Sequence, residues 1–142
     1  MNEAGGWDFE DLEIGTSASF AKTVTEADIV LFAGVSGDTN PVHLDEDYAA
    51  GTMFKGRIAH GMLTAAFISA VLGARMPGPG AVYLSQSLRF RAPVRPGDTV
   101  RATGTVTALD TQRRRVTVAT VCTVGGKTVV DGEAVVMVPK RG

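Results

Sequence analysis

An aspartate and a histidine lie close together in Ser36-Gly37-Asp38-Thr39-Asn40-Pro41-Val42-His43. A carboxylate can take a proton from water, and an imidazole can give or take one, so Asp38 and His43 together could hold a reacting water between them. Gly37 ends whatever precedes it, and Pro41 keeps Asn40 out of helical geometry, so segment 37–43 is expected as a fixed irregular loop. Loops stiffened in this way often carry function. The same spacing fits a plainer arrangement equally well, with Asp38 capping a turn and His43 partly buried. Spacing alone does not separate the two.

A second chemical element is His60-Gly61 at the head of an apolar run. Free N–H groups and the helix dipole put partial positive charge at a helix start, where an oxyanion could sit. Gly61 has no side chain to block a carbonyl, and one well-aimed donor is worth about 10²–10³ in rate. Close helix packing is the simpler use of such a glycine. Ser69, about two turns further along, is one of the few polar residues of the run, although a helix serine more often bonds its own backbone. No Gly-x-Ser-x-Gly elbow surrounds any serine, and two histidines with one cysteine make no metal-ligand cluster. The acidic run Asp45-Glu46-Asp47 reads as a solvated helix start.

These groups need a scaffold, and the chain's periodicity supplies one. Ser17 to Val24 reads as a strand, and Thr25 with Asp28 forms a capping-box pattern ahead of a helix expected over 26–35. A further short helix should begin near Asp45. Residues 62–72 are apolar nearly all round, which requires a helix enclosed on most sides. The period then changes to that of strands, expected over 82–90, 100–109, 115–124 and 127–138, with turns at Pro96-Gly97-Asp98, Asp110-Thr111 and Gly125-Gly126. A meander of about five strands following a buried helix indicates α+β architecture, with the sheet wrapped around the helix.

Composition narrows the function classes. The chain has 142 residues, 44% of them hydrophobic, which suits one domain spanning 1–142 with a single core. Its formal charge is −1 and its cations are scattered apart from Arg113, Arg114 and Arg115, so nucleic acid is not an expected partner. The lone Cys122 suits a reducing compartment, the cytoplasm. The N-terminus has neither the basic start nor the apolar stretch of a secretion signal. The apolar run falls short of the roughly 20 residues a membrane-spanning helix needs, so no membrane association is expected.

Taken together, segment 37–43, then His60-Gly61-Met62, then Tyr83-Leu84-Ser85-Gln86-Ser87-Leu88-Arg89-Phe90 resemble the MaoC-like R-specific enoyl-CoA hydratases over nearly the whole chain. The resemblance implies a hot-dog fold, a homodimer whose two sheets join, and neither a metal nor an organic cofactor. It implies that Asp38 and His43 bind the catalytic water, that the Gly61 N–H reaches the thioester oxygen, and that Ser69 lies nearby. Asn40 and Met62, inside the same motifs, are candidate substrate-binding residues alongside Ser69. The implied reaction adds water across the 2,3-double bond of an enoyl-CoA to give an R-3-hydroxyacyl-CoA, or removes it. A dehydratase acting on acyl carrier protein thioesters has the same reacting atoms. A hot-dog thioesterase would send water to the carbonyl carbon instead, and the Asp-x-Asn-Pro-x-His pattern argues against it. Intact Asp38 and His43 argue against a non-catalytic acyl-thioester binding protein. Arg57, Arg89 and Arg91 are candidates for a basic entrance that would receive either carrier, although long strand arginines are more often plain surface charge.

Overall fold

The computed structural model describes residues 1–142. Strand β1 (Ser17–Thr23) leads into helix α1 (Glu26–Ser36) through a complete capping box. The Thr25 hydroxyl accepts the Asp28 N–H at 3.1 Å, and the Asp28 carboxylate accepts the Thr25 N–H at 2.9 Å. The helix stops where Gly37 takes φ +80°, a left-handed conformation that glycine adopts without steric cost.

The loop expected over 37–43 is irregular only in its first half. Pro41 presets the backbone of a first helical turn, and Asn40 Oδ1 accepts the Val42 N–H at 3.1 Å, so Pro41–Leu44 winds into a single turn, α2. His43 therefore stands on a helical turn. Asp45 caps the next helix, α3 (Glu46–Ala50), by accepting the Tyr48 N–H at 3.2 Å.

The apolar run forms α4 (Gly61–Ala74), which packs against the sheet through Phe67, Ile68, Val71 and Leu72. Strands β2 (Val82–Gln86), β3 (Arg89–Phe90), β4 (Thr99–Asp110), β5 (Arg115–Val124) and β6 (Lys127–Met137) complete an antiparallel six-stranded sheet. Its order is β1-β4-β5-β6-β2, with β3 also paired to β6. Alternate residues of the long strands, among them Val100, Ala102, Val106, Val116 and Val118, are buried in the core they share with α4. The hairpin between β5 and β6 turns at Gly125 and Gly126, both at positive φ, as the right-handed twist of the paired strands requires. This is the α+β arrangement expected from the change of period.

Two expectations need correction. The single strand foreseen over 82–90 is two short ones, because the chain leaves its ladder at Ser87 to pass over Gly132. There Ser87 N donates to Glu133 O at 2.9 Å and Ser87 Oγ accepts the Glu133 N–H at 3.0 Å. A side chain at Gly132 would place its Cβ 1.8 Å from the Ser87 carbonyl oxygen, so only glycine permits the crossing. Second, α4 is not enclosed on most sides in the single chain. Met62, Ala66, Ser69 and Gly73 form an exposed stripe at helical spacing, and Met62 is 55% exposed.

Gly132→Ala should destabilise the chain by about 1–3 kcal/mol or prevent folding, since the obstacle is backbone and cannot swing aside. Urea unfolding measures it, and a variant as stable as the parent would contradict the close approach at Ser87.

Candidate active site

The 38–43 segment has little apolar anchoring of its own, and polar ties to residues 57–60 hold it. His43 is 8% exposed, and its Nδ1 lies 2.8 Å from the Ile58 carbonyl oxygen. A carbonyl can only accept, so Nδ1 carries the hydrogen and Nε2 of the neutral ring keeps its lone pair. Arg57 Nε donates to the His43 carbonyl at 2.7 Å, while its two terminal nitrogens grip Glu26 of α1 at 2.7 and 2.9 Å. Hydrogen bonds from Arg57 hold the Glu26 carboxyl below its usual range. His60 Nε2 lies 2.9 Å from the Asp38 carbonyl oxygen and by the same logic donates to it.

The result is a carboxylate and an imidazole aimed at one small space. Asp38 Oδ1 accepts the Asn40 N–H at 3.2 Å, which leaves Oδ2 to face His43 Nε2 at 4.0 Å. That separation is too long for a direct hydrogen bond, yet two acceptors so placed can each take one hydrogen of a single water. The water's lone pairs would then point away from both.

Beside this pair lies a cavity of about 470 Å³, walled in part by Asp38, His60, Gly61, Met62, Thr64 and Phe90. Its wall includes the start of α4. Leu63 and Thr64 donate their N–H groups back to the His60 carbonyl at 3.1 and 3.3 Å, whereas the N–H groups of Gly61 and Met62 have no partner in the chain. No side chain caps this helix. A cavity bounded by a carboxylate at one place and by unpaired N–H groups at another can bind a polarised carbonyl and direct water at the chain attached to it.

The remaining sequence candidates fall in different places. Met62 lines the cavity. Asn40 does not, because its side-chain oxygen is the cap of α2. Ser69 is two turns from Gly61 on the exposed stripe of α4, outside the cavity wall. Arg57 is not a free entrance cation, since its guanidinium is spent on Glu26 and His43. Arg91 does line the cavity and pairs with Asp131 at 3.2 Å, while Arg89 is an exposed β3 residue. Cys122 is buried near the Thr64 carbonyl, and burial pushes its thiol up to about 11, which removes it as a nucleophile.

Asp38, His43 and His60 each offer a possible ligand atom within 4.8 Å of the others. Asp38 Oδ2 and His43 Nε2 stand 4.0 Å apart, wider than two tetrahedral ligands each about 2.0 Å from a zinc ion. The cluster suits a water better than a metal ion. In the sequence His60 stands out only as the residue before Gly61, and Ile58, Phe90 and Thr64 are not marked as site residues. A signal was available for His60. A histidine stands where Ser, Thr, Asp or Asn usually caps a helix.

The chain is similar to known proteins over nearly its whole length. Residues 11–129 match the family described as MaoC like domain. An (R)-specific enoyl-CoA hydratase of Rhodospirillum rubrum is 66% identical over 134 residues, 94% of this chain and 93% of the relative. A 3-hydroxybutyryl-CoA dehydratase of Methylorubrum extorquens is 55% identical, covering 94% of this chain and 85% of its own. Among solved structures, an unliganded R-hydratase of Pseudomonas aeruginosa superposes with a TM-score of 0.91 at 47% identity, over 96% of this chain and 88% of that one. On sequence and on structure alike, the chain belongs to the MaoC-like domain family and has its hot-dog fold.

Proposed function

We propose that this protein is an R-specific enoyl-CoA hydratase, adding water across the 2,3-double bond of an enoyl-CoA and able to run the reverse dehydration. The observation that carries the reading is the 4.0 Å gap between Asp38 Oδ2 and His43 Nε2, beside a cavity whose wall includes the unpaired N–H of Gly61. The thioester carbonyl accepts the Gly61 N–H, which draws electron density from the conjugated double bond. The water held by Asp38 and His43 loses a proton to the pair as its oxygen bonds the β-carbon. A proton then bonds the α-carbon, and the enolate oxygen returns to a carbonyl. Water is consumed whole, so the reaction is redox-neutral and needs no electron carrier. Relatives named for CoA thioesters at 66% and 55% identity favour CoA as the carrier.

The same polypeptide is expected to work as a homodimer. Strand β2 is the edge of the sheet, and Val82, Tyr83 and Leu84 on its two faces are 46%, 41% and 43% exposed. An apolar edge with unpaired backbone groups invites a second copy. The exposed stripe of α4 gives the partner a further surface to cover. A buried, unreactive Cys122 suits the reducing cytoplasm, and no helix is long and apolar enough to cross a membrane.

Asp38→Asn and His43→Ala should each lower hydration of crotonyl-CoA by at least about 10²-fold with the fold retained, the usual size of a positioned acid-base group. Because both groups hold one water, the double variant should lose much less than the product of the single losses. Loss of the 2,3-double-bond absorbance reads the rate, and full activity in either folded single variant would sink the mechanism.

Gly61→Ala tests the carbonyl position. The added Cβ would lie 2.6 Å from the Phe90 ring, but that ring is 55% exposed and can swing away, so the protein should fold. Displacing the thioester by even about 1 Å can cost up to 10²-fold in turnover. A folded and fully active variant would mean the carbonyl is held elsewhere.

Light scattering on the purified protein should return a dimer mass. Leu84→Lys on the exposed edge strand should shift the population towards monomer, and a monomeric parent at micromolar concentration would contradict the expected assembly.

A further inference from the structure

We propose that His60 is the positioning residue of the site: its imidazole fixes the Asp38 backbone and the His43 ring together, and takes no proton in the reaction. This rests on Asp38 and His43 being the catalytic pair.

Three observations converge on this ring. His60 is 1% exposed, and its Nε2–H donates to the Asp38 carbonyl at 2.9 Å, holding the backbone from which the carboxylate projects. Its face stacks on His43, with centroids 3.9 Å apart and planes 29° from parallel, and Phe32 of α1 lies 4.9 Å away on a tilted plane. The residue also occupies the N-cap of α4 without making a cap bond. A Ser, Thr, Asp or Asn there would accept an N–H of the first turn and typically stabilise a helix by about 1 kcal/mol. Such a cap would engage the N–H of Met62 or Leu63, the second or third residue of the helix; the His60 side chain turns back to the Asp38 loop instead and leaves the first turn beside the cavity uncapped. Water-binding pair and carbonyl donor are thus set relative to one another through one residue.

The surroundings of the ring argue against proton transfer. Nε2 is committed to the Asp38 carbonyl, and Nδ1 is buried with no hydrogen-bond partner in the chain. The neutral ring therefore carries its hydrogen on Nε2, whereas His43 carries its hydrogen on Nδ1 towards Ile58. The two histidines of the chain are opposite tautomers, stacked face to face. Opposition is functional: it leaves the His43 lone pair facing Asp38 and turns the His60 lone pair into the interior.

Two measurements test this. With only two histidines in the chain, long-range proton–nitrogen NMR of the unmodified protein at a pH where both rings are neutral should resolve one Nδ1–H and one Nε2–H tautomer. Two rings of the same tautomer would overturn the assignment whatever the activity data say about Asp38 and His43. Then His60→Leu, which keeps bulk but loses the donor, should lower kcat by about 10²-fold with KM little changed, since a misplaced reacting group costs that much. His60→Gln can present an amide N–H to the Asp38 carbonyl and should recover kcat to within about tenfold of the parent. Equal kcat in His60→Leu and the parent, or equal losses in the Leu and Gln variants tracking equal losses of melting temperature, would reduce His60 to an ordinary core residue.

Discussion

The site depends on four consecutive residues, 57–60, that act as a rail for the segment carrying Asp38 and His43. Arg57 holds the His43 carbonyl, the Ile58 carbonyl orients the His43 ring, and His60 holds the Asp38 carbonyl. The Ala59 N–H ties the rail to the body of the protein by donating to Val94 O at 2.7 Å. Each bond is modest by itself, with a net value of about 0.5–1.5 kcal/mol. Their importance is directional, because each fixes a different degree of freedom of the two groups proposed to share one water. A half-exposed carboxylate on a glycine-flanked loop would otherwise sample many positions.

Helix α4 meets two demands at once. Its buried side anchors the core, with Ile68, Val71 and Leu72 each 2% exposed or less. Its first turn does the opposite of what stability favours, leaving the Gly61 and Met62 N–H groups without partners beside a cavity. A helix embedded in the concave face of a sheet can tolerate an uncapped end, because packing along its length outweighs the missing cap. The same embedding makes the unpaired N–H groups a rigid donor, not a fraying terminus.

The glycines at 61 and 132 illustrate how close approach replaces conformational freedom as the reason for the residue. Neither has positive φ. At Gly132 the obstacle to a side chain is the Ser87 carbonyl, which belongs to the backbone and has nowhere to go. At Gly61 it is the half-exposed Phe90 ring, a side chain and not backbone, so the constraint there is softer.

Much of the fold was written locally in the chain. The Thr25 capping box, the left-handed stop at Gly37, the apolar period of 62–72 and the Gly125-Gly126 hairpin act within a few residues, so sequence alone determined α1, α4 and the meander. The motif around Asp38 and His43 and the resemblance it carries also pointed to the reaction. Tertiary structure decided what depends on residues distant in the chain. Ser87 crosses over Gly132 from 45 positions away, dividing one expected strand into two. The side-chain oxygen of Asn40, which reads as a substrate contact, caps α2, and Arg57, which reads as free charge, is spent on Glu26 and His43. His60 became legible only when α4 and the Asp38 loop were brought together, because a hydrogen bond to a carbonyl 22 residues earlier leaves no trace in local periodicity.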